Sequence, residues 1–214
     1  RLTVKEKVAP VIAITSPGAG AILTNNKPTI TWTVTDNDSG VNSGTIGITI
    51  DSGSKITSGI TKTAITGGYS CSYTPTTALS DGSHTIKVDA SDNDGNAGTQ
   101  KSATFKIDTV PSTLNVTAPA NELVTKTPAC TVTGTTNDTT SSPCTVTVKL
   151  NSGAAQAVTV NSDGSFSKAL TLVEGSNTIV VVSTDAAGKS STVTRTVTLD
   201  TVAPVITAVE LIPN

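Results

Sequence analysis

The five residues Ile107-Asp108-Thr109-Val110-Pro111 return as Leu199-Asp200-Thr201-Val202-Ala203-Pro204 and, blurred, as Glu6-Lys7-Val8-Ala9-Pro10. Each copy closes one run of alternating apolar and polar residues and opens another. A chain repeating itself in this way must fold as a tandem of similar domains, each burying its own apolar faces. The seams divide the 214 residues into 1–7, the tail of a preceding repeat; 8–109, a first domain; 110–201, a second; and 202–214, the opening strand of a third repeat or a C-terminal extension. Such limits read as those of a piece excised from a longer protein.

The copies align segment by segment. The opening run VAPVIAITSP (8–17) recurs as VPSTLNVTAP (110–119), 102 residues on. Pro28-Thr29-Ile30-Thr31-Trp32-Thr33-Val34 recurs 100 residues on as Pro128-Ala129-Cys130-Thr131-Val132-Thr133-Gly134, and Ile46, Ile48 and Ile50 as Val146, Val148 and Leu150. A period of two puts alternate residues on one face, so Ile30, Trp32 and Val34 form one core face and Ile46, Ile48 and Ile50 another. Tyr69, Cys71 and Tyr73 alternate likewise. The run from Leu79 to Val88 then has its counterpart 93 residues on, from Leu172 to Val181, each with a glycine at its corner. Ala103, Phe105 and Ile107, or Val193, Val197 and Leu199, close the units. Seven short runs per unit, turn signals about every eight to twelve residues and no helical period predict an all-β fold of two antiparallel seven-stranded sandwiches.

Composition narrows the function classes. Aromatic residues make up 2% and charged residues 14%, while the net charge is −2. Without a basic field, nucleic acid is excluded as a partner, and without an apolar run of about 20 residues so is membrane insertion by a helix. Of three cysteines, Cys130 and Cys144 open successive strands running up and then down. That places them about 20 Å apart, beyond the about 7 Å Cα limit for a bridge, so reduced thiols are expected.

In the second unit, Val132-Thr133-Gly134-Thr135, Val146-Thr147-Val148, Asp163-Gly164-Ser165-Phe166 and Glu174-Gly175-Ser176-Asn177-Thr178-Ile179 lead to Thr184-Asp185-Ala186-Ala187-Gly188. This unit resembles the bacterial immunoglobulin-like (Ig-like or fibronectin-like) repeats of cell-surface and secreted proteins. The first unit is similar through Asp81-Gly82-Ser83-His84-Thr85 and Asp92-Asn93-Asp94-Gly95-Asn96. The resemblance implies two tandem immunoglobulin-like β-sandwiches and an extracellular or cell-surface location. Such repeats occur in adhesins, in S-layer-type proteins and as accessory domains of secreted glycan-degrading enzymes. Neither unit has the inter-sheet cysteine pair of antibody domains.

The sharpest constellation is acidic. In such a sandwich the loop after the second strand and the loop between the last two strands lie at the end where the chain enters. In the first unit these loops carry Asp36-Asn37-Asp38 and Asp92-Asn93-Asp94. Oxygen donors on flexible loops suit Ca²⁺, making Asp36, Asp38, Asp92 and Asp94 candidate ligands; the alternative is that they are turn residues on a solvated tip. The second unit offers only Asn137, Asp138 and Asp185, with Ala187 in place of Asp94 and the seam residue Asp108 as a further candidate.

Trp32, the only tryptophan, falls on an inward phase as a core anchor, as do Tyr69, Tyr73, Phe105 and Phe166, leaving no aromatic platform for a sugar. His84, the only histidine, stands at the corner where related sandwiches hydrogen-bond back to the chain. One histidine leaves Ser, Thr or Cys nucleophiles without an evident base, so no enzyme is expected. Lys87, Lys106 and Lys149 fall on outward phases, Lys168 and Arg195 on inward ones.

The expected function is mechanical: a non-catalytic spacer, two sandwiches in line across a short, stiff seam, forming a semi-rigid rod. Its partners would be neighbouring repeats of the same chain, then cell-surface proteins or glycans, and the excised piece would be a monomer. The rival expectations are an adhesin-type binding module, an accessory domain of a secreted glycan-degrading enzyme, and strand addition to another chain by residues 202–211.

Overall fold

The structure is a computed structural model that describes residues 5–205, and among these there is no helix. The chain forms two compact units, one running to Val110 together with Thr139–Ser141, the other comprising Pro111–Asp138 and continuing from Ser142. The expected strand at 202–214 lies largely outside the described residues.

In the first unit the strands are β1 (Val11–Ser16), β2 (Ile22–Leu23), β3 (Ile30–Thr35), β4 (Val41–Ile50), β5 (Thr61–Ile65), β6 (Gly68–Tyr73), β7 (Gly82–Asp92) and β8 (Lys101–Ile107). They build two four-stranded sheets in the orders β1-β3-β6-β5 and β2-β8-β7-β4. The seven predicted strand positions are present, the first divided between the sheets. β1 pairs antiparallel with β3, and beyond Pro17 the chain crosses so that β2 lies parallel to β8, Ile22 opposite Lys106 and Leu23 opposite Ile107. Proline has no N–H for a ladder, so the run leaves its first partner there.

The second unit repeats this plan with β9 (Thr113–Ala118), β10 (Leu123–Thr125), β11 (Ala129–Asn137), β12 (Thr145–Leu150), β13 (Gln156–Val158), β14 (Ser165–Thr171), β15 (Gly175–Thr184) and β16 (Ser190–Leu199). Its sheets are ordered β14-β11-β9 and β10-β16-β15-β12-β13. The units differ in the fourth strand. After β12 a five-residue connection returns β13 as the hairpin partner of β12. After β4 the connection is ten residues, and a single bridge between Ile48 and Ile56 remains of that pairing before the chain crosses to join β6 as β5.

Among the described residues the crossing leaves the outer edge of β4 without a partner strand, and two lysines cover it. Lys62 Nζ donates to the Ser43 carbonyl at 2.6 Å, and Lys55 Nζ to the Thr45 carbonyl at 2.9 Å. Lys55 also pairs with Asp89. Its stem lies across Gly47, where a Cβ would meet Lys55 Cε at 2.1 Å. Charged side chains on an edge discourage strand addition.

Each unit has its own core. Ile30, Trp32, Val34, Ile46, Ile48, Ile86, Val88, Phe105 and Ile107 are fully buried in the first, and Val132, Val146, Val148, Ile179, Val181 and Val197 are at most 1% exposed in the second. Each such side chain contributes about 1.5–3 kcal/mol when removed from water. Ile50, Tyr69, Leu150 and Val193 are only half-buried. Lys87, Lys106 and Lys149 are exposed, Lys168 half-buried, and Arg195 reaches from its inward phase to the Val116 carbonyl at 3.0 Å. All three cysteines are free. Burial pushes the Cys71 thiol up to about 11 against the opposing charge of Lys62.

Candidate functional site

The two acidic loops of the first unit are built from their own carboxylates. Asp36, which ends the buried phase of β3, accepts from the N–H groups of Asp38 at 3.0 Å and Gly40 at 2.9 Å, a turn held by its own side chain. Gly40 takes φ +77°, a conformation that glycine adopts without a Cβ clash. Asp92, at the end of β7, accepts from Asn96 N at 2.8 Å and Asn96 Nδ2 at 2.6 Å. Asn93 ties the loops together, its N–H bonding the Gly40 carbonyl and its amide the Ser39 carbonyl, both at 2.9 Å.

Glu6 completes the cluster. Its carboxylate accepts from the Ser39 hydroxyl at 2.9 Å and also bonds the Val8 N–H, while its carbonyl accepts from Asn96 Nδ2 at 3.1 Å. Glu6, Asp36 and Asp92 each present a carboxylate oxygen within 4.8 Å of the others. Asp36 and Asp92 are 6% and 1% exposed, so the charges are shielded from water.

Two of the four expected residues therefore converge and two do not. Asp38 is exposed and contributes its N–H to Asp36. Asp94 turns to the entering chain, where Oδ2 accepts the Glu6 N–H at 3.0 Å and its carbonyl accepts from Lys5 Nζ at 2.9 Å. Glu6 was not among the expected ligands, although the blurred seam copy held the signal: Glu6 stands where Asp108 and Asp200 stand ahead of Val-Pro or Val-Ala-Pro. For Asp92, burial raises the pKa, but hydrogen bonds from the Asn96 side chain and backbone and from the Gly95 N–H outweigh it and hold the group at about 2.

These geometries sit on a sandwich whose sequence has recognisable relatives. Residues 10–88 match the family described as bacterial Ig domain, and residues 112–201 the one described as glucodextranase, domain B. The chain is a tandem of immunoglobulin-like domains, the first of them matching a bacterial Ig domain. Among solved structures it is similar to the fibronectin(III)-like modules of CbhA from Clostridium thermocellum, with 17% identity, a TM-score of 0.48, and coverage of 88% of this chain and 94% of that one. It is similar to Rst D1-D2 with 13% identity, a TM-score of 0.50, and coverage of 89% and 100%. For Sidekick-1 immunoglobulin domains 1–4 the values are 12%, 0.51, 92% and 51%. No curated protein sequence matches the chain. Families of this kind are typically non-catalytic modules, usually of extracellular or surface proteins.

Both immunoglobulin-like repeats fix the chain that leaves them with the same device. In the first, Asp81 in the corner before β7 accepts from Thr109 N and Thr109 Oγ1, each at 2.9 Å. In the second, Glu174 in the corner before β15 accepts from Thr201 N at 3.1 Å and Thr201 Oγ1 at 2.6 Å. One residue earlier, Asp108 and Asp200 each accept the N–H of the residue two further on, at 3.3 and 3.2 Å.

Proposed function

We propose that this chain is a non-catalytic spacer of a larger bacterial surface or secreted protein, its repeats holding neighbouring parts of that protein apart with little freedom at the seam. The repeated Thr-to-acid lock carries this reading. It ties down the residues that leave each sandwich, and only five residues separate the end of β8 from the start of β9. So short a connection, restricted by Pro111 and anchored at its first residues, loses most of its backbone freedom. The test is backbone ¹⁵N relaxation on the whole chain. Both repeats should report one rotational correlation time, that of a particle of the full length. Two separate shorter times would sink the spacer reading.

A second reading, an accessory domain of a secreted glycan-degrading enzyme, is favoured by the match of residues 112–201 to glucodextranase, domain B. It differs in what the spacer is joined to, and the same lock serves it.

The spacer reading also takes Ca²⁺ at Glu6, Asp36 and Asp92 as a proposal. Three carboxylates this close repel when ionised, and a divalent ion with oxygen ligands offsets that repulsion. Removing divalent ions with a chelator and then adding millimolar Ca²⁺ is expected to raise the melting midpoint of the first repeat, and Glu6→Gln to reduce the rise. An unchanged midpoint would leave the loops held by their hydrogen bonds alone.

A further inference from the structure

The two repeats solve one corner with different chemistry. Asp51 and Asn151 follow β4 and β12 with φ of 53° and 51°, a left-handed conformation that Asp and Asn tolerate better than most side chains. Asp51 N donates to the Thr85 carbonyl at 2.7 Å and Asp51 Oδ1 accepts the Thr85 N–H at 2.8 Å. Asn151 does the same with Thr178, at 2.8 and 2.7 Å. The remaining side-chain atom reaches the corner residue of the strand paired alongside, which is His84 on β7 in one repeat and Asn177 on β15 in the other.

In the second repeat this contact is neutral and self-sufficient. Asn177 Oδ1 accepts from Asn151 Nδ2 at 3.2 Å and from Val173 N at 3.0 Å, while Asn177 Nδ2 donates to the Val173 carbonyl at 2.7 Å. In the first repeat both ring nitrogens of His84 face acceptors. Nδ1 lies 2.8 Å from Asp51 Oδ2 and Nε2 lies 2.7 Å from the Ser80 carbonyl. Neither a carboxylate nor a carbonyl can donate, so both bonds form only when the ring carries two protons. His84 is 6% exposed, so an acceptor left without its proton there is poorly solvated.

We propose that the Asp51–His84 pair is a pH-responsive clamp on the corner of the first repeat, tight while the imidazole is doubly protonated and loosened when it becomes neutral, with the second repeat lacking the response. The clamp holds Ser80, whose neighbour Asp81 fixes the departing Thr109, so the same corner positions the exit of the chain. Among the described residues, Asp51 is the one titratable group facing the ring. β8 presents the Phe105 ring, its centroid 6.0 Å away. The Asp81 carboxylate is taken up by Thr109, and Lys87 and Lys106 occupy the exposed outward phase.

The signs follow from the surroundings. Burial lowers the His84 pKa, but the Ser80 carbonyl and the Asp51 carboxylate outweigh it and hold it above the ordinary 6.5. The clamp is therefore complete below pH 6.5 and is lost as pH rises through the folded value. Burial raises the Asp51 pKa, and the bonds from His84 and the Thr85 N–H with the His84 charge bring it below 3.8, so this partner fails only in stronger acid.

Trp32 is the only tryptophan and belongs to the first repeat, so its fluorescence follows that repeat's unfolding in the full chain. Its thermal midpoint is expected to fall by about 4–8 °C between pH 5.5 and pH 8.5. The double variant Asp51→Asn with His84→Asn, which copies the second repeat, should show no such fall. An NMR titration of unmodified His84 should give a midpoint above 6.5. A midpoint at or below 6.5, or a fall as large in the double variant as in the parent, would overturn the clamp.

Discussion

Trp32→Ala is expected to destabilise the first repeat by about 3–5 kcal/mol. Trp32 is 0% exposed and stands mid-strand, with Ile14 across one ladder and Cys71 across the other. Its side chain occupies the space between two sheets that offer few other aromatics. Truncation removes its burial and leaves a cavity the paired strands cannot close. A domain of this size is typically stable by only about 5–15 kcal/mol, so the variant should unfold early in urea. The second repeat, with a separate core, should keep its own transition by circular dichroism. Trp32→Phe is the control. It keeps most of the apolar volume and discards an indole N–H that is buried without a partner among the described residues, so its loss should be much smaller. Equal losses for Ala and Phe would show that packing at this point does not hold the repeat together.

Gly134→Val should cost the second repeat about 1–3 kcal/mol or more, although it restores the residue that the first repeat carries at the matching position. Val34 is buried opposite Tyr69, which is only half-buried. Gly134 sits opposite Phe166, which is 2% exposed and folds into the room the missing side chain leaves. A Cβ at Gly134 would meet the Asn115 carbonyl at 2.3 Å and Phe166 Cζ at 2.5 Å. The ring can turn away only by losing its burial, and the carbonyl belongs to the irregular register between β9 and β11. Urea denaturation followed by circular dichroism measures the loss. A midpoint for the second repeat that stays level or rises would mean that Phe166 does not fill this space.

The pair Val34 with Tyr69 against Gly134 with Phe166 shows how far the residues alone could be read. Alternation placed Val34, Tyr69 and Phe166 on inward phases, and all four residues are buried or half-buried. It could not show that volume moves across the ladder, because the exchange involves residues far apart in the chain. The same holds for the acidic loops. Asp36 and Asp92 were legible as neighbours from strand order, whereas Asp38 and Asp94 were not separable from them, since loop direction depends on which N–H groups each carboxylate captures. Glu6 looked like part of a preceding repeat until its hydrogen bonds to Ser39 and Asn96 placed it in the first unit.

Local covalent geometry makes successive side chains of an extended strand point to opposite sides, and proline and glycine interrupt such runs at fixed offsets. For that reason the two repeats, their core faces and the buried place of Trp32 could be read from residue order alone. Tertiary structure decided the sheet that β5 and β13 join, which three acids meet, and that both nitrogens of His84 face acceptors. Those outcomes depend on how loops of unequal length close and on which donors burial leaves within reach, and neither is written in the period of a strand.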